Sequence, residues 1–437
     1  MTIINKDQNA ILKKLGITDL NPMQVKAQEI ISAKSEVILL SATGTGKTVA
    51  FLLPLMSLLD SQLKEIQILI LVPSRELAIQ IEQVVREMGS GHKVNAVYGG
   101  RSGSKDKIEL KHPPSILIGT PGRVADHIRR SIINTGHIKT LVLDEFDKSL
   151  EIGFEKEMKE IVSSLNAVTK KVLTSATQSI AIPKFIKINN PTVVNFLNEV
   201  KPKIKLKIVI ASNKDKLKTL LQLIKYLGKK SGIVFCNFKD SIEYVRVFLE
   251  KNEIDHGCFY GGLEQKDREQ ALIKFRNGTH RLLIATDLAA RGIDVPEMDF
   301  VIHYQHPTKE DAFIHRNGRT ARMHSEGNAF VLQWKNEKLP DFIQGEEFSI
   351  EQSNLEYVEK EWDTLYISGG RRDKISKGDI VGLFIKQGQL EKSELGLIEL
   401  KQECAYVCVA HKKTKQIIDK LNNKKLKNKK VKISLLK

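Results

Sequence analysis

The sequence predicts an α/β protein with two doubly wound parallel sheets, followed by a smaller C-terminal α+β unit. Short β-rich apolar runs alternate with amphipathic helical segments, and this pattern restarts near the middle of the chain. Such alternation is typical of parallel sheets, whose consecutive strands are joined by crossover helices. A chain of 437 residues has room for roughly two to four domains.

Nine apolar runs are strand candidates. Those of the first sheet are 36–40, 66–72, 115–119, 140–144 and 171–175, and those of the second are 232–236, 281–285, 300–304 and 329–334. A helix is predicted between the second and third runs, because five apolar residues recur at helical spacing. They are Leu77, Ile81, Val84, Val85 and Met88.

Domain boundaries are predicted where the alternation of strand candidates and helical segments is interrupted. Segment 189–205 is interpreted as the region that links the two sheets, and a polar stretch precedes a third unit that starts at Trp362. We therefore predict domains at 1–200, 201–345 and 362–437, with a linker at 346–361.

Composition narrows the class of protein. The chain is 41% hydrophobic and 28% charged, which is ordinary for packed cores and excludes a fibrous or wholly disordered chain. No apolar run approaches the roughly 20 residues that span a bilayer, and the N-terminus lacks the apolar segment of a secretion signal. The four cysteines form neither a disulfide framework nor a zinc pattern. We expect a soluble, cytoplasmic protein.

The charge balance favours a polyanionic partner. Sixty-nine Lys and Arg against 52 Asp and Glu give a formal charge of +17. A basic surface favours nucleic acid or anionic membrane, although a generally lysine-rich proteome is an alternative explanation. The excess is concentrated at the C-terminus, where eleven lysines and one acid, Asp419, follow His411.

A glycine-rich turn lies between the first predicted strand and a helical pattern. It reads Ser41-Ala42-Thr43-Gly44-Thr45-Gly46-Lys47-Thr48. Backbone N–H groups of such a turn converge on phosphate oxygens at a helix N-terminus. Lys47 can reach the β and γ phosphates, and the Thr48 hydroxyl can bind Mg²⁺. The flanking strand and helix favour a phosphate site over a connection without a ligand.

An acidic tetrad, Asp144-Glu145-Phe146-Asp147, follows the strand candidate 140–144. The carboxyl ends of parallel strands are where α/β sheets bind ligands. We expect Asp144 to hold Mg²⁺, mostly through water, and Glu145 to orient and deprotonate the attacking water. A solvated acidic turn is the alternative, which the phosphate-binding turn upstream disfavours.

Two arginines in the second domain form a third candidate. Arg319 and Arg322 lie three residues apart in a segment that begins at His315, so a helix would place them on one face. Two guanidinium groups aimed at a γ-phosphate would stabilise a phosphoryl-transfer transition state. A basic solvent-facing surface is the alternative.

The glycine-rich turn, the acidic tetrad and the two-arginine segment occur in an order that resembles the DEAD-box family of ATP-dependent RNA helicases. The resemblance covers roughly residues 16–335. Further matching elements are Leu15-Gly16-Ile17 with Pro22 and Gln24, 73–78, Gly99-Gly100, 120–123, 175–177, 275–278, 285–287 and 291–294. The resemblance implies two RecA-like domains that close on ATP and Mg²⁺ and bend one RNA strand, so that its partner is released locally.

The resemblance also implies roles for individual residues. The catalytic set is Lys47, Asp144, Glu145, Arg319 and Arg322. Nucleotide would be bound by residues 41–48, by Gln24 at the adenine, by Gly292, and by Asp294 at the ribose. Hydrolysis would be coupled to unwinding by Asp147, Ser175, Thr177 and His315. RNA would contact Pro73, Arg75, Gly100, Thr120, Arg123, Arg276 and Thr286.

The C-terminal unit resembles the RNA-binding domain of the DbpA subfamily, an RRM variant. Tyr366 and Tyr406 are expected to bind RNA from strands, and Lys424, Lys425 and Lys427 from a lysine-rich end. The alternating residues Val431, Ile433 and Leu435 predict a final strand, while a disordered solvated tail is the alternative. The subfamily resemblance implies ribosomal RNA of the large subunit, with pre-ribosomal particles as possible partners. The same domain type also occurs in cold-shock helicases.

The leading hypothesis is an RNA-stimulated ATPase that locally unwinds ribosomal RNA during large-subunit assembly. One alternative is an ATP-gated RNA clamp or chaperone, and another is a cold-shock helicase that remodels mRNA. A DNA helicase is disfavoured by Gln24 and the RRM-like unit, and a degenerate enzyme by the complete catalytic set.

Overall fold

The computed structural model describes residues 4–42, 44–100, 103–177, 182–197, 204–287, 298–320, 326–350 and 359–436. The chain divides into two units, one built mainly from residues 1–203 and the other mainly from residues 204–437. Among the described residues, no helix combines the length and apolar character needed to cross a membrane.

The first unit is a seven-stranded parallel sheet in the order β3-β4-β2-β5-β6-β1-β7. Its strands are β1 (Glu36–Leu40), β2 (Ile68–Leu71), β3 (Val94–Val97), β4 (Ile116–Gly119), β5 (Thr140–Leu143), β6 (Lys170–Ser175) and β7 (Thr192–Asn195). Its helices are α1 (Ile4–Lys14), α2 (Pro22–Ala33), α3 (Lys47–Met56), α4 (Arg75–Met88), α5 (Gly103–Leu110), α6 (Pro121–Arg129), α7 (Phe146–Glu151) and α8 (Glu155–Ser164).

Both faces of this sheet are buried, which explains why its strands are continuous apolar runs. Alternate residues of β1 point to opposite faces. Val37 and Leu39 join one apolar cluster, which also contains residues of α2, α3 and α4. Ile38 and Leu40 join a second cluster, on the side of α6 and α8. The loops at the carboxyl edge of this sheet contain the candidate functional residues.

The second unit contains another seven-stranded parallel sheet, in the order β10-β11-β9-β12-β13-β8-β14. Its strands are β8 (Ile204–Ala211), β9 (Gly232–Phe235), β10 (His256–Phe259), β11 (Leu282–Ala285), β12 (Phe300–His303), β13 (Gly327–Trp334) and β14 (Glu346–Glu347). Its helices are α9 (Leu217–Leu227), α10 (Lys239–Lys251), α11 (Gln265–Arg276) and α12 (Glu310–Asn317).

The two segments interpreted as links between domains contribute strands to these sheets. Within 189–205, β7 pairs with β1, and β8 begins at Ile204. At the start of the predicted linker 346–361, β14 pairs with β8. Hydrogen bonding to a sheet edge, which local periodicity does not reveal, orders these polar segments.

The C-terminal module, residues 359–436, is a four-stranded antiparallel sheet in the order β16-β17-β15-β20 with a separate hairpin. Its strands are β15 (Trp362–Ile367), β16 (Leu395–Leu400), β17 (Ala405–Ala410), β18 (Lys425–Leu426), β19 (Lys429–Lys430) and β20 (Ile433–Leu435). Its helices are α13 (Lys377–Gly382) and α14 (Thr414–Leu421). Helix α13 continues as a π-helical turn over Leu383–Gln387. The lysine-rich end is therefore folded, and the predicted final strand is present as β20.

Candidate functional site

The glycine-rich turn lies between β1 and α3, at the carboxyl edge of the first sheet. Gly44 and Gly46 have φ angles of +83° and +85°, a region that favours glycine. A Cβ atom on Gly46 would also come within 2.4 Å of the Gln24 amide nitrogen. Gly46 caps the N-terminus of α3, where unpaired N–H groups create an anion site. The turn thus has the shape that a phosphate chain requires. Thr43 lies outside the described residues.

Lys47 is buried and reaches back across the turn. Its Nζ donates hydrogen bonds to the carbonyl oxygens of Ser41 (2.7 Å) and Ala42 (2.8 Å). The Thr45 hydroxyl accepts from the Ser41 hydroxyl at 2.8 Å and donates to the Ala42 carbonyl at 2.9 Å. Thr48 follows on the first turn of α3. These bonds hold the ammonium group over the mouth of the turn.

Gln24 lies on α2, which is attached to the same turn. The side chains of Asn21 and Gln24 form a capping box at the start of α2. Asn21 Nδ2 donates to Thr45 O at 3.0 Å, and Gln24 Nε2 donates to Gly46 O at 3.3 Å. The residue predicted to contact adenine is therefore also a direct support of the phosphate turn.

The acidic tetrad starts at the end of β5, beside the turn, because β5, β6 and β1 are consecutive in the sheet. The Asp144 carboxylate is 3% exposed and accepts a hydrogen bond from the Thr174 hydroxyl. Burial raises the pKa of Asp144, while the hydrogen bond from Thr174 and the nearby Lys47 ammonium lower it. This carboxylate is not a solvated surface acid but one held in a low-dielectric site beside a cation.

Glu145 has a φ angle of 48°, and its N–H donates to the Thr174 hydroxyl at 3.1 Å. A left-handed conformation at a non-glycine residue is uncommon and clusters at functional sites. Phe146 is buried in the apolar cluster on one side of the sheet. Phe146, which stands where the DEAD motif has alanine, is thus a core residue.

Asp147 is fully buried and connects the tetrad to the turn after β6. Thr177 Oγ1 lies 3.3 Å from Asp147 Oδ2, and Ser175 Oγ donates to Thr177 O at 2.8 Å. Burial raises the pKa of Asp147, which the adjacent Lys148 ammonium partly offsets. The predicted coupling residues Ser175, Thr177 and Asp147 therefore form one hydrogen-bonded cluster.

The second domain contains a buried arginine, Arg316. Arg316 is 2% exposed, and its guanidinium group binds the Asp287 carboxylate, Asn237 Oδ1 (2.7 Å) and Gln305 O (2.6 Å). Sequence reasoning missed the role of Arg316, although it lies in the segment that begins at His315, because its partners Asn237 and Asp287 are distant in the chain. These contacts join Arg316 to the segments that follow β9, β11 and β12.

The prediction that Arg319 lies on a helix is wrong. Helix α12 ends at Asn317, Gly318 caps it, and the Arg319 N–H bonds to Arg316 O in a turn. Glycine is the physical reason, because it loses more backbone conformational entropy in a helix than other residues do and so disfavours helical continuation. His315 lies on the last turn of α12, with Nδ1 2.7 Å from Asp311 O. Arg322, Gly292 and Asp294 lie outside the described residues.

Three predicted RNA-contacting turns meet at the carboxyl edge of the first sheet, where β3, β4 and β2 are neighbours. Pro73 precedes α4, and Arg75 begins it with its guanidinium against Gly100, whose φ angle is +84°. A Cβ atom on Gly100 would lie 2.5 Å from Arg75 Nη1. Thr120 caps α6, and Arg123 Nε donates to buried Asp106 at 2.9 Å. These residues therefore lie along one edge of the first sheet.

Comparison with known proteins identifies the family. The family described as DEAD/DEAH box helicase matches residues 21–185, the helicase conserved C-terminal domain matches 215–324, and the DbpA RNA-binding domain matches 364–435. The chain is 31% identical to the ATP-dependent RNA helicase DbpA of Escherichia coli, covering 100% of this chain and 99% of that protein. The chain belongs to the DEAD-box ATP-dependent RNA helicases.

Other relatives agree with this assignment. DbpA of Bacillus subtilis is 28% identical over 99% of this chain and 98% of its own length. Among solved structures, DEAD-box helicase Mss116 bound to single-stranded RNA and UDP-BeF has a TM-score of 0.69 at 25% identity, covering 80% of this chain and 79% of Mss116. Dbp5 of S. cerevisiae, bound to RNA and ADP BeF3, has a TM-score of 0.67 at 26% identity, covering 77% of this chain and 88% of Dbp5. The two parallel sheets are thus the RecA-like domains of a DEAD-box helicase.

The candidate Mg²⁺ ligands of this DEAD-box helicase are Thr48 and Asp144. Within the part of the chain that the structure describes, no group of three or more His, Cys, Asp or Glu side chains is arranged to hold an ion. Mg²⁺ in phosphoryl-transfer sites is usually held by one or two protein ligands together with substrate phosphates and water. Thr48 and Asp144 fit that mode, with Lys47 beside them.

Arg276 and Tyr406, which were predicted to bind RNA, contact protein groups in this helicase. Arg276 precedes β11, whereas Thr286 follows it, so they lie at opposite edges of the second sheet. Arg276 binds Glu399 of the C-terminal module, with its Nη2 2.6 Å from the carboxylate. Tyr406 is 7% exposed. Both side chains are occupied by contacts with protein, which a local motif does not reveal.

The other predicted contacts of the module are more open. Tyr366 is half-buried and packs edge to face on Tyr406, with ring centroids 5.9 Å apart. Lys424 and Lys425 are exposed on and beside β18. Lys427 is in the hairpin turn, where its Nζ binds Asp379 at 2.9 Å. The lysines therefore differ in how freely they can meet a phosphate.

Proposed function

We propose that this RNA helicase uses ATP to separate short duplexes in ribosomal RNA of the large subunit during ribosome assembly. The observation that carries the proposal is the folded C-terminal module, which matches the DbpA RNA-binding domain and displays a lysine-rich hairpin. Helicase contacts to sugar and phosphate carry no sequence information, so choice of target must come from such a module.

We assign phosphate and Mg²⁺ binding and the general base to the first domain, and two arginines that stabilise the transition state to the second. Lys47 would exchange its bonds with the Ser41 and Ala42 carbonyls for phosphate oxygens, and Thr48 and Asp144 would hold Mg²⁺. The bound Mg²⁺ neutralises charge on the transferring phosphoryl group. Glu145 would accept a proton from the attacking water, while Arg319 and Arg322 add positive charge to the transition state.

The coupling assignment rests on the buried cluster of Asp147, Ser175 and Thr177. A change at the acidic tetrad reaches the turn after β6 through one hydrogen bond, between Asp147 and Thr177. We assign RNA contact in this domain to the neighbouring turns of Pro73, Arg75, Gly100, Thr120 and Arg123, and in the second domain to Thr286. Polar backbone-rich turns suit sugar and phosphate contacts.

Deleting residues 362–437 should remove the preference among RNAs while leaving ATP hydrolysis. The truncated helicase should respond equally to a large-subunit ribosomal RNA fragment and to unstructured RNA of equal length, since its remaining contacts carry no sequence information. The intact chain should respond more strongly to the fragment. Hydrolysis rates measured over a range of each RNA test this.

Replacement of Lys424 and Lys425 by alanine provides the matched control for the deletion. Each lost phosphate contact should weaken binding and reduce the salt slope of log K by about 0.7–0.9, without a change of preferred target. An equal preference in the intact and truncated chains would contradict the targeting role of the module.

A second candidate function is an ATP-gated RNA clamp. The hydrogen bonds from Asn21 and Gln24 to the phosphate turn suit nucleotide binding, which either function needs. Strand-release assays separate the two, because a clamp would retain RNA without accelerating duplex release.

A further inference from the structure

An exposed aromatic side chain follows strand β9 in the second helicase domain. Phe238 is 66% exposed, the largest fraction among the large apolar side chains that the structure describes. Cys236, which directly follows β9, is by contrast fully buried. Burial of a phenylalanine ring is a major source of folding stability, and Phe238 contributes little of it. Packing of the core thus does not account for the ring.

The start of helix α10 does not account for the ring either. Phe238 occupies the N-cap position, with φ −130° and ψ 152°, and its side chain makes no capping hydrogen bond. Serine, threonine, aspartate and asparagine are preferred at this position because their side-chain oxygens accept hydrogen bonds from the first turn. A phenyl ring has no such acceptor. Phe238 thus serves neither of the usual structural purposes of a residue between a strand and a helix.

A second aromatic ring follows strand β10. The side chain of Tyr260 is half-buried and packs against the apolar cluster of this domain. The ammonium group of Lys239 lies 5.7 Å from the ring centroid, close enough for a cation–π contact. A Cβ atom on Gly262 would come within 3.3 Å of the ring, so glycine keeps that side of the ring clear of another side chain. Tyr260 is thus anchored in the domain and still partly exposed.

The two aromatic residues flank Thr286. Strand β11, which Thr286 follows, lies between β9 and β10 in the sheet. The Thr286 N–H donates to Phe259 O at 3.4 Å, which places Thr286 beside Tyr260. Phe238 lies on the other side, three residues after the end of β9. Because adjacent strands are about 4.8 Å apart, the three residues share a stretch of the carboxyl edge that is roughly 10 Å wide.

This combination of side chains matches the chemistry of an unpaired RNA strand. Proteins that bind single strands combine contacts to the backbone with aromatic side chains on which bases stack. A threonine hydroxyl can bond to sugar or phosphate oxygens, and the Lys239 ammonium group adds positive charge beside Tyr260. A base inside a duplex has both faces covered by its neighbours, whereas an unpaired base can be splayed out onto a ring. The exposed ring of Phe238 is available for that contact.

We infer that Phe238 and Tyr260 stack on bases of the RNA strand whose backbone contacts Thr286, so that the second helicase domain holds bases as well as phosphates. The inference rests on the proposed RNA contact at Thr286. Because stacking of bases on aromatic rings is tolerant of sequence, this contact favours unpaired over paired RNA without choosing the target. Selection among RNAs stays with the C-terminal module, and the two rings retain a strand once it has been released.

Binding to a strand without bases tests the inference. Fluorescence anisotropy measures the affinity of the intact helicase, with ADP and beryllium fluoride, for a short oligouridylate and for an abasic strand of equal length with the same sugar–phosphate backbone. The wild type should bind the oligouridylate more tightly by about fivefold or more, the ratio expected from one stacked base. Phe238→Ala should reduce this ratio and leave the affinity for the abasic strand unchanged. Phe238→Trp, which keeps an aromatic ring, should retain the ratio.

Tyr244→Ala is the matched control, because Tyr244 is an exposed aromatic residue further along α10, and it should leave the ratio unchanged. Tyr260→Leu, which keeps the apolar contact but removes the ring, should lower the ratio without a change in melting temperature. Equal affinity of the wild type for both strands, or an unaltered ratio in Phe238→Ala, would overturn the stacking contact alone. Thr286→Val should weaken the binding of both strands. If it affects neither, the proposed RNA contact and the inference that rests on it both fail.

Discussion

Glu145→Gln should lower the rate of RNA-stimulated ATP hydrolysis by about 10²–10⁴-fold, the usual contribution of a positioned general base. Glutamine preserves the size of the side chain and the backbone position, which the Thr174 hydroxyl holds through the Glu145 N–H. It removes only the group that accepts the proton. ATP and RNA binding should persist, so the variant should accumulate as an ATP-bound complex on RNA.

Single-turnover hydrolysis and filter binding of RNA in the presence of ATP measure the two effects. Glu151→Gln is the matched control, because Glu151 is an acid of the following helix that pairs with Lys148 at 3.1 Å. The control should hydrolyse ATP at a rate close to that of the wild type. Near-normal turnover in Glu145→Gln would remove this residue from the proposed active site.

Arg322→Ala should lower kcat by about 10³-fold or more, the magnitude expected when an arginine that stabilises phosphoryl-transfer charge is lost. Because such a residue acts on the transition state, the affinity for RNA and the thermal stability should change little. Arg319→Ala, tested separately, shows how the effect divides between the two arginines. If ATP hydrolysis survives in Arg322→Ala, this arginine is surface charge and the role passes to Arg319.

Arg316 provides a structural contrast within the same motif. Its guanidinium group is buried and paired with Asp287, so Arg316→Ala leaves a carboxylate without its cation. Breaking a buried pair costs about 3–5 kcal/mol of unfolding free energy. We therefore expect a lower melting temperature for Arg316→Ala and an unchanged one for Arg322→Ala. Equal losses of stability would show that both arginines act through the fold.

The candidate ATP site could be located from sequence because its signals are local. The turn 41–48 and the tetrad 144–147 each follow an apolar run, and the structure brings them together at one sheet edge. Burial could not be predicted: Asp144 reads as an exposed turn residue, yet it is buried beside Lys47. Phe146 became intelligible only when the packed cluster around it was known.

The contacts of the C-terminal module were not predictable from periodicity. Arg276 and Tyr406 match RNA-binding patterns, but both contact protein groups that are distant in sequence. Arg276 binds Glu399, 123 residues away, and Tyr406 bonds with Gln270. Gly318 ended a helix that spacing alone would have continued through Arg319. Tertiary contacts decided these cases. The final strand at the lysine-rich end, by contrast, was predicted from the alternation of Val431, Ile433 and Leu435, and Val431 and Ile433 pack in the module's core.

Release of a short RNA duplex tests the central claim most directly. The duplex is prepared in two forms, one attached to a large-subunit ribosomal RNA fragment and one attached to unstructured RNA of equal length. With ATP, the intact helicase should release the strand much faster from the first form, and neither Glu145→Gln nor the chain lacking 362–437 should show that difference. Equal release from both forms by the intact chain would contradict the account.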